Sequence, residues 1–342
     1  MIWFDLDNSP HVPLFRPIFK ELDKRKIEYC ITAREFAQTK ELLDFWKVKH
    51  SLIGKHAGKN KLNKVVNLLH RGSKLRKYAK NKSINLGISH GSRTQLLATK
   101  SLGINSLLMF DYEYTESKIF NNFSNYLLAP VFIPDKRLKE AGFRLNKLIR
   151  YNGFKEELYI SDFQPDLNFR KSLGISETTV LVTIRPPSLV GNYHDSRSEQ
   201  LLISLIDYLR RHDDIFVLIV NRTDVEKKFL QDKIQGMDKI QFLSHPVDGL
   251  QLLYASDFVF SGGGTMNRES ALLGTKTFSF FTGKKPYLDE YLRDIGRLVF
   301  IQEISEIEKI HISKSSSKEI LIHSRNIVEE VTDIILKLIP KQ

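Results

Sequence analysis

The chain has 342 residues, a length that suits two domains of ordinary size better than one small core. Hydrophobic residues make up 42% and charged residues 27%, which excludes a disordered protein, and the single cysteine, Cys30, excludes an internal disulfide or a cysteine-bound zinc. The formal net charge of +12 is concentrated in one window, because residues 46–82 hold 12 Lys or Arg and no Asp or Glu.

The chain opens on "MIWFDLDNS", with no basic n-region or small-residue cleavage site, and no apolar run approaches the length of a membrane span. The expectation is a cytoplasmic protein. Short apolar runs then alternate with helical patterns: "IWFDL" and a helix over 13–26, "EYCIT" and 35–46, "INLGI" and 92–102, then "SLLMF". This is the rhythm of βαβ units and a parallel sheet. A second half repeats it with "VLVTI", 196–211, "IFVLIV", 224–235, "IQFL", 247–255, "FVF", 265–273 and "TFSFF". Between the halves, residues 151–166 are turn-rich and carry Gly153 and Pro165.

The fold class predicted is therefore α/β, with two Rossmann-like doubly wound domains over 1–155 and 156–342 and a cleft between them. Ile320, Ile327, Val331, Ile334 and Leu338 recur at helical spacing before Pro340. They predict a closing helix at about 317–338 that packs back on the first domain.

In open parallel sheets ligands bind beyond the carboxyl ends of the strands, so polar residues there are the candidates. The first half offers Asp5, Asp7, Asn8, Ser9 and His11, then Thr32 and Arg34, then Ser89, His90 and Ser92, then Asp111, Tyr112 and Glu113. The second half offers Arg185, Tyr193, His194, Asn221, Arg222, Ser244, His245, Ser261 and the triple glycine Gly262, Gly263 and Gly264. Asp5, Asp7 and Asp111 lie on separate elements without ligand spacing, so no metal site is expected.

A glycine-rich turn that feeds a helix aims backbone N–H groups and the positive end of the helix dipole at an anion. Thr265 and Glu269 share a face of that helix, so a carboxylate could accept from ribose hydroxyls while the first turn holds phosphates. Arg185 and Arg222 would add counter-charge. Glycines after a strand also serve close helix packing alone, and both readings stand. The loop "SGGGTMNRE" lacks the Gly-Lys-Ser/Thr of a P-loop, and no G-x-G-x-x-G follows the first strand. The basic window 46–82 reads as a solvated face, a nucleic-acid footprint or a patch for an anionic membrane surface. Thin aromatic interleaving and the lack of a recognised module argue against nucleic acid.

The stretch "SGGGTMNRESALLGT" resembles the nucleotide-sugar loop of GT-B-fold proteins, in which a Ser/Gly-rich turn and a following Glu hold UDP. "LVTIRPP" and "ISHGSRTQLLATKSLGINSLLMFDYE" resemble segments of non-hydrolysing UDP-N-acetylglucosamine 2-epimerases. "DLDNSPHVPLFRPIFKEL", "TAREFAQT", "GKHAGK", "ISHGS", "RPP" with "YH", and the glycine loop together resemble a GT-B-like family of unknown function, domain number 354.

The resemblance implies a nucleotide sugar, UDP-linked, held by Arg185, Arg222, Ser261, Gly262, Gly263, Gly264, Thr265 and Glu269. Where the epimerases carry an acid after their His-Gly, this chain has Ser92, and "FDYEY" replaces their acidic-Ala-Gly segment. Epimerisation needs several carboxylates at one carbon, whereas glycosyl transfer needs a cradle for the leaving nucleotide and one base. The expectation is a metal-independent GT-B glycosyltransferase of cell-surface or polysaccharide synthesis, with no permanently bound cofactor and a glycan or lipid-linked acceptor on the first domain. An epimerase-like isomerase and a non-catalytic nucleotide-sugar or nucleic-acid-binding protein are the alternatives. His11 is the first candidate base, unless it only caps the helix that Pro13 begins. His90, Asp111, Glu113 and His194 follow.

Overall fold

The computed structural model describes residues 1–36, 38–55, 61–187, 196–221, 223–245, 247–315 and 317–340, with 61–65 described by their backbone alone. They divide into two units, Met1–Ser161 with His323–Gln342, and Asp162–Ile322. Each unit is an α/β sandwich around one parallel sheet.

The first sheet contains β1 (Ile2–Leu6), β2 (Tyr29–Glu35), β3 (Ser51–Lys55), β4 (Leu86–His90), β5 (Asn105–Met109), β6 (Tyr126–Pro130) and β7 (Leu148–Tyr151). Its order is β3-β2-β1-β4-β5-β6-β7, all parallel. The second contains β8 (Val180–Arg185), β9 (Ile215–Ile219), β10 (Ile240–Phe242), β11 (Phe258–Ser261), β12 (Lys276–Ser279) and β13 (Leu298–Phe300), ordered β10-β9-β8-β11-β12-β13. Winding reverses between β1 and β4 in one unit and between β8 and β11 in the other. Such switch points open a crevice at the strand ends.

Central strands read as near-continuous apolar runs because helices cover both faces. Ile2, Phe4 and Leu6 of β1 and Ile88 of β4 lie in the first core with Phe15 and Phe19 of the helix His11–Lys24. Phe258 and Phe260 of β11 and Val182 and Ile184 of β8 anchor the second. The runs that sequence periodicity marks coincide with nine of these strands and leave β3, β6, β7 and β13 unmarked. Three of those four, β3, β7 and β13, are sheet edges.

The chain returns to the first unit at His323. The backbone N–H groups of His323 and Ser324 donate to Glu157 Oε2 at 2.7 and 3.4 Å, and His323 Nδ1 lies 2.7 Å from Glu157 Oε1. The helix Ile327–Lys337 then buries Ile327, Val331 and Ile335 in the first core. It is shorter than the 317–338 expected from periodicity. Residues 317–322 before it form no helix; there Lys318 Nζ donates to the carbonyls of Tyr254 and Ser256, and the Leu321 N–H bonds Leu272 O in place of a helical partner.

Candidate functional site

At the switch point of the first unit the strand ends carry charge. Asp5 of β1 is fully buried and accepts from Thr32 Oγ1 at 2.6 Å, Ser92 Oγ at 2.5 Å and both terminal nitrogens of Arg71 at 2.8 and 2.9 Å. Arg71 comes from the helix Lys61–Ala79, is itself buried, and donates through Nε to Ile53 O of β3. Burial alone would raise the Asp5 carboxyl, but the Arg71 guanidinium and the hydroxyl donors outweigh it and hold it below the ordinary aspartate value. Asp5 is an anchor.

Asp7 sits 3.1 Å from Arg71 and 3.0 Å from Arg34. Burial, reinforced by the neighbouring Asp5 charge, nevertheless pushes its carboxyl above the usual range. Its backbone N–H donates to His11 Nδ1 at 3.1 Å. With that lone pair engaged, a neutral His11 carries its proton on Nε2 and presents a donor. Burial, then the charges of His90 and Lys155, hold His11 well below 6.5, so the ring stays neutral. The His11 and His90 rings are 5.2 Å apart. His90 Nε2 lies 3.1 Å from Asp111 Oδ1, and the other oxygen of Asp111 is 2.8 Å from Lys155 Nζ. One carboxylate thus bridges a histidine and a lysine. Glu113 is fully buried and paired with Arg137 at 3.0 Å.

In the second unit the switch point is built from backbone. Arg185 ends β8 opposite Ser261 of β11, and the Gly262 N–H donates to Arg185 O at 3.0 Å. Arg185 Nη1 donates to Val220 O at 3.0 Å, which ties its head to the end of β9. The three glycines have separate reasons. A Cβ on Gly262 would stand 2.6 Å from Pro187 Cα, so this glycine lets two loops touch. Gly263 has φ +101° and packs on Phe281, and its N–H donates to Ser261 Oγ. Gly264 has φ +90°, and a Cβ there would meet nothing within 4 Å; it starts the helix Thr265–Leu272 with no side-chain cap. An uncapped helix start behind a positive-φ glycine is the cradle an anion needs.

That helix is clamped from below. Arg268 Nη1 and Asn267 Nδ2 reach the two oxygens of the buried Asp289 at 3.0 and 3.1 Å on the helix Tyr287–Asp294. Thr265 and Glu269 remain half-buried, one turn apart.

A family model described as "Protein of unknown function (DUF354)" matches residues 1–341. The chain belongs to the DUF354 family. The DUF354 chain is 27% identical over 313 residues to the uncharacterised protein MJ0665 of Methanocaldococcus jannaschii, covering 90% of this chain and 89% of that one. Its fold is similar to the UDP-GlcNAc 2-epimerase of Neisseria meningitidis bound to UDP-GlcNAc, with TM-score 0.75, 14% identity, and 98% and 100% of the two chains covered. It is equally similar to the M. jannaschii UDP-GlcNAc 2-epimerase in complex with UDP-GlcNAc and UDP, with TM-score 0.75, 15% identity, and 98% and 100% covered. These likenesses establish the GT-B-like fold.

Within the DUF354 chain the structure groups the candidates by unit. It gathers His11, His90 and Asp111 in the first, and Arg185, Ser261, Gly262, Gly263, Gly264, Thr265 and Glu269 around one strand-to-helix junction in the second. Arg222 and His194 lie outside the described residues. Ser92 caps the helix Arg93–Leu102, accepting from Gln95 N–H while donating to Asp5. Lys155, Arg71 and the Arg268–Asp289 clamp escape sequence reading. Lys155 has a usable signal, since it lies four residues past the end of β7, but β7 itself is hidden in the turn-rich stretch.

Proposed function

We propose that this DUF354 protein is a cytoplasmic nucleotide-sugar enzyme that binds a UDP-linked sugar through its second unit and transfers the sugar to an acceptor hydroxyl of a glycan or lipid-linked chain. The observation that carries the reading is the junction at Gly264. A positive-φ glycine opens an uncapped helix beside Arg185, and that arrangement suits a diphosphate leaving group without a metal. Glu269, one turn on, accepts from the ribose hydroxyls.

The first unit supplies the chemistry. His11, the first candidate base, has its Nδ1 occupied by the Asp7 N–H and so donates through Nε2, which leaves the acceptor proton to the His90–Asp111 pair, with Lys155 holding the second oxygen of Asp111. Ser92 supports transfer over isomerisation: the position where the epimerase pattern carries an acid holds a hydroxyl committed to Asp5 and a helix cap. One observation favours isomerisation as a second reading. Asp7, with its raised carboxyl, adds another proton carrier beside His11.

Titration calorimetry tests the nucleotide site. Glu269→Ala is expected to weaken UDP about tenfold or more with the fold intact, and Arg185→Ala to weaken UDP far more than uridine; unchanged affinities would remove both assignments. Product analysis separates the reactions. Transfer releases UDP only when an acceptor is present, whereas an isomerase yields a second nucleotide sugar without one.

A further inference from the structure

Between Asp44 and Asp111 the chain has no Asp or Glu and fourteen Lys or Arg. The helix Lys61–Ala79 runs through this stretch, and its described side chains separate into two faces. Arg71, Gly72, Leu75 and Ala79 are buried. Leu75 and Ala79 pack in a cluster with Trp3, Ile84 and Ala98, and Arg71 is bolted to Asp5. Gly72 faces the helix Arg93–Leu102, where a Cβ would stand in ordinary contact, 3.7 Å from Leu97 Cβ and the Thr94 carbonyl.

These contacts fix the rotation of the helix, so what faces outward is set by its anchors. At 100° per residue, Val66, Leu69, His70, Ser73, Lys74, Arg76, Lys77 and Lys80 fall on a single outward arc, and all of them are exposed. Val66 is 66% and Leu69 60% exposed, which is unusual for two large aliphatics on one face of a well-anchored helix. The cations follow toward the carboxyl end, and the helix packed beside it, Arg93–Leu102, adds the exposed Lys100 and no acid.

We propose that the outward face of the helix Lys61–Ala79 docks on an anionic lipid surface, with Val66 and Leu69 entering the headgroup boundary and Lys74, Arg76, Lys77 and Lys80 contacting acidic headgroups. Interfacial helices combine these two features, aliphatic insertion and a basic flank. A phosphodiester backbone would use the cations but leave the aliphatic pair in water, and the arc carries no Phe, Tyr or Trp on which bases could stack. The inference is independent of the reaction assigned above.

The test is co-sedimentation of the full chain with phosphatidylcholine vesicles, with and without phosphatidylglycerol, at low and raised salt. Binding is expected only to the anionic vesicles and to weaken as salt rises. Lys74→Glu, Lys77→Glu and Lys80→Glu combined should reduce it about tenfold or more, and Val66→Ser with Leu69→Ser should reduce it at constant charge. These residues are exposed, so thermal melts should match the parent. A Leu69→Trp variant should shift its emission to the blue on anionic vesicles. No vesicle binding, binding unaffected by the charge reversal, or salt-sensitive binding to an oligonucleotide without vesicle binding would each overturn the proposal.

Discussion

The two switch points of this molecule solve the same topological problem with different materials. In the first unit the crevice end of the sheet is lined by side-chain charge, with Asp5, Asp7, Arg34 and Arg71 interlocked beside His11, His90, Asp111 and Lys155. In the second the corresponding place is mostly backbone, with Ser261, three glycines and an uncapped helix start, and Arg185 of β8 beside them. Side chains that hold or move protons must be tuned by burial and neighbours, whereas a phosphate cradle needs N–H groups and room. The contrast supports the proposal that one unit supplies the chemistry and the other the binding.

The largest effect should come from breaking the charged lattice of the first unit. Arg71→Met leaves Asp5 and Asp7 without their buried partner and is expected to destabilise that unit by about 3–5 kcal/mol. Denaturant unfolding should then show an early transition in the first unit alone, with UDP binding in the second retained. Arg71→Lys cannot reproduce two parallel bonds to Asp5 and should recover only part of the loss. A cost below about 1 kcal/mol would mean the lattice is ornamental to stability.

The glycines sharpen the same comparison from the other side. Gly262→Ala drives a methyl against Pro187 backbone and should destabilise the second unit by about 1–3 kcal/mol. Gly264→Ala meets no neighbour and strains only its own positive-φ backbone, about 1–3 kcal/mol. Its main effect should be on UDP affinity, through a disturbed helix start. If calorimetry and melting curves show both variants losing stability and binding in the same proportion, the division between packing and cradle is wrong.

How far the sequence anticipates this depends on whether a residue acts within its own element or across elements. Strand runs such as "IWFDL" and "FVF" are legible because helices on both sides demand mostly apolar residues, the buried Asp5 being the exception in the first. The glycine loop is legible as a loop, yet its sequence cannot say that Gly262 serves Pro187 and Gly264 faces open space, since that depends on where "RPP" travels after β8. Arg71 is illegible for a sharper reason. It stands in a run of solvated cations, and only the crossover from β3 to β4 places it beneath β1. Lys155 is hidden because β7 is a four-residue edge strand inside a stretch that reads as a boundary.

Lys155 offers a smaller, catalytic test. If it acts through Asp111, Lys155→Met should lower kcat by roughly tenfold to a hundredfold with little change in KM for the nucleotide sugar. The pH profile should also shift, because Asp111 loses its cation. Lys155→Arg should restore part of the rate. A purely structural lysine would lower the amount of folded enzyme and leave the pH profile in place.

The smallest effect concerns His11, and its sign follows from the direction of its shift. Burial and the nearby cations hold the native ring well below 6.5, while the unfolded ring protonates near 6.5. Above 6.5 both states are neutral and the histidine favours neither. As pH falls through 6.5 toward the native value, the unfolded chain binds a proton that the folded chain refuses, so stability declines. Asp7 acts in the opposite sense, since its raised carboxyl favours the native state as pH falls toward 3.8. His11→Asn keeps an acceptor for the Asp7 N–H without a titrating ring. Its stability should therefore fall less than the parent's between neutral and mildly acid pH, a difference read from denaturation midpoints. Parallel pH curves for the two proteins would show that the native His11 ring titrates like the unfolded one, and the burial-held neutral ring argued above would be wrong.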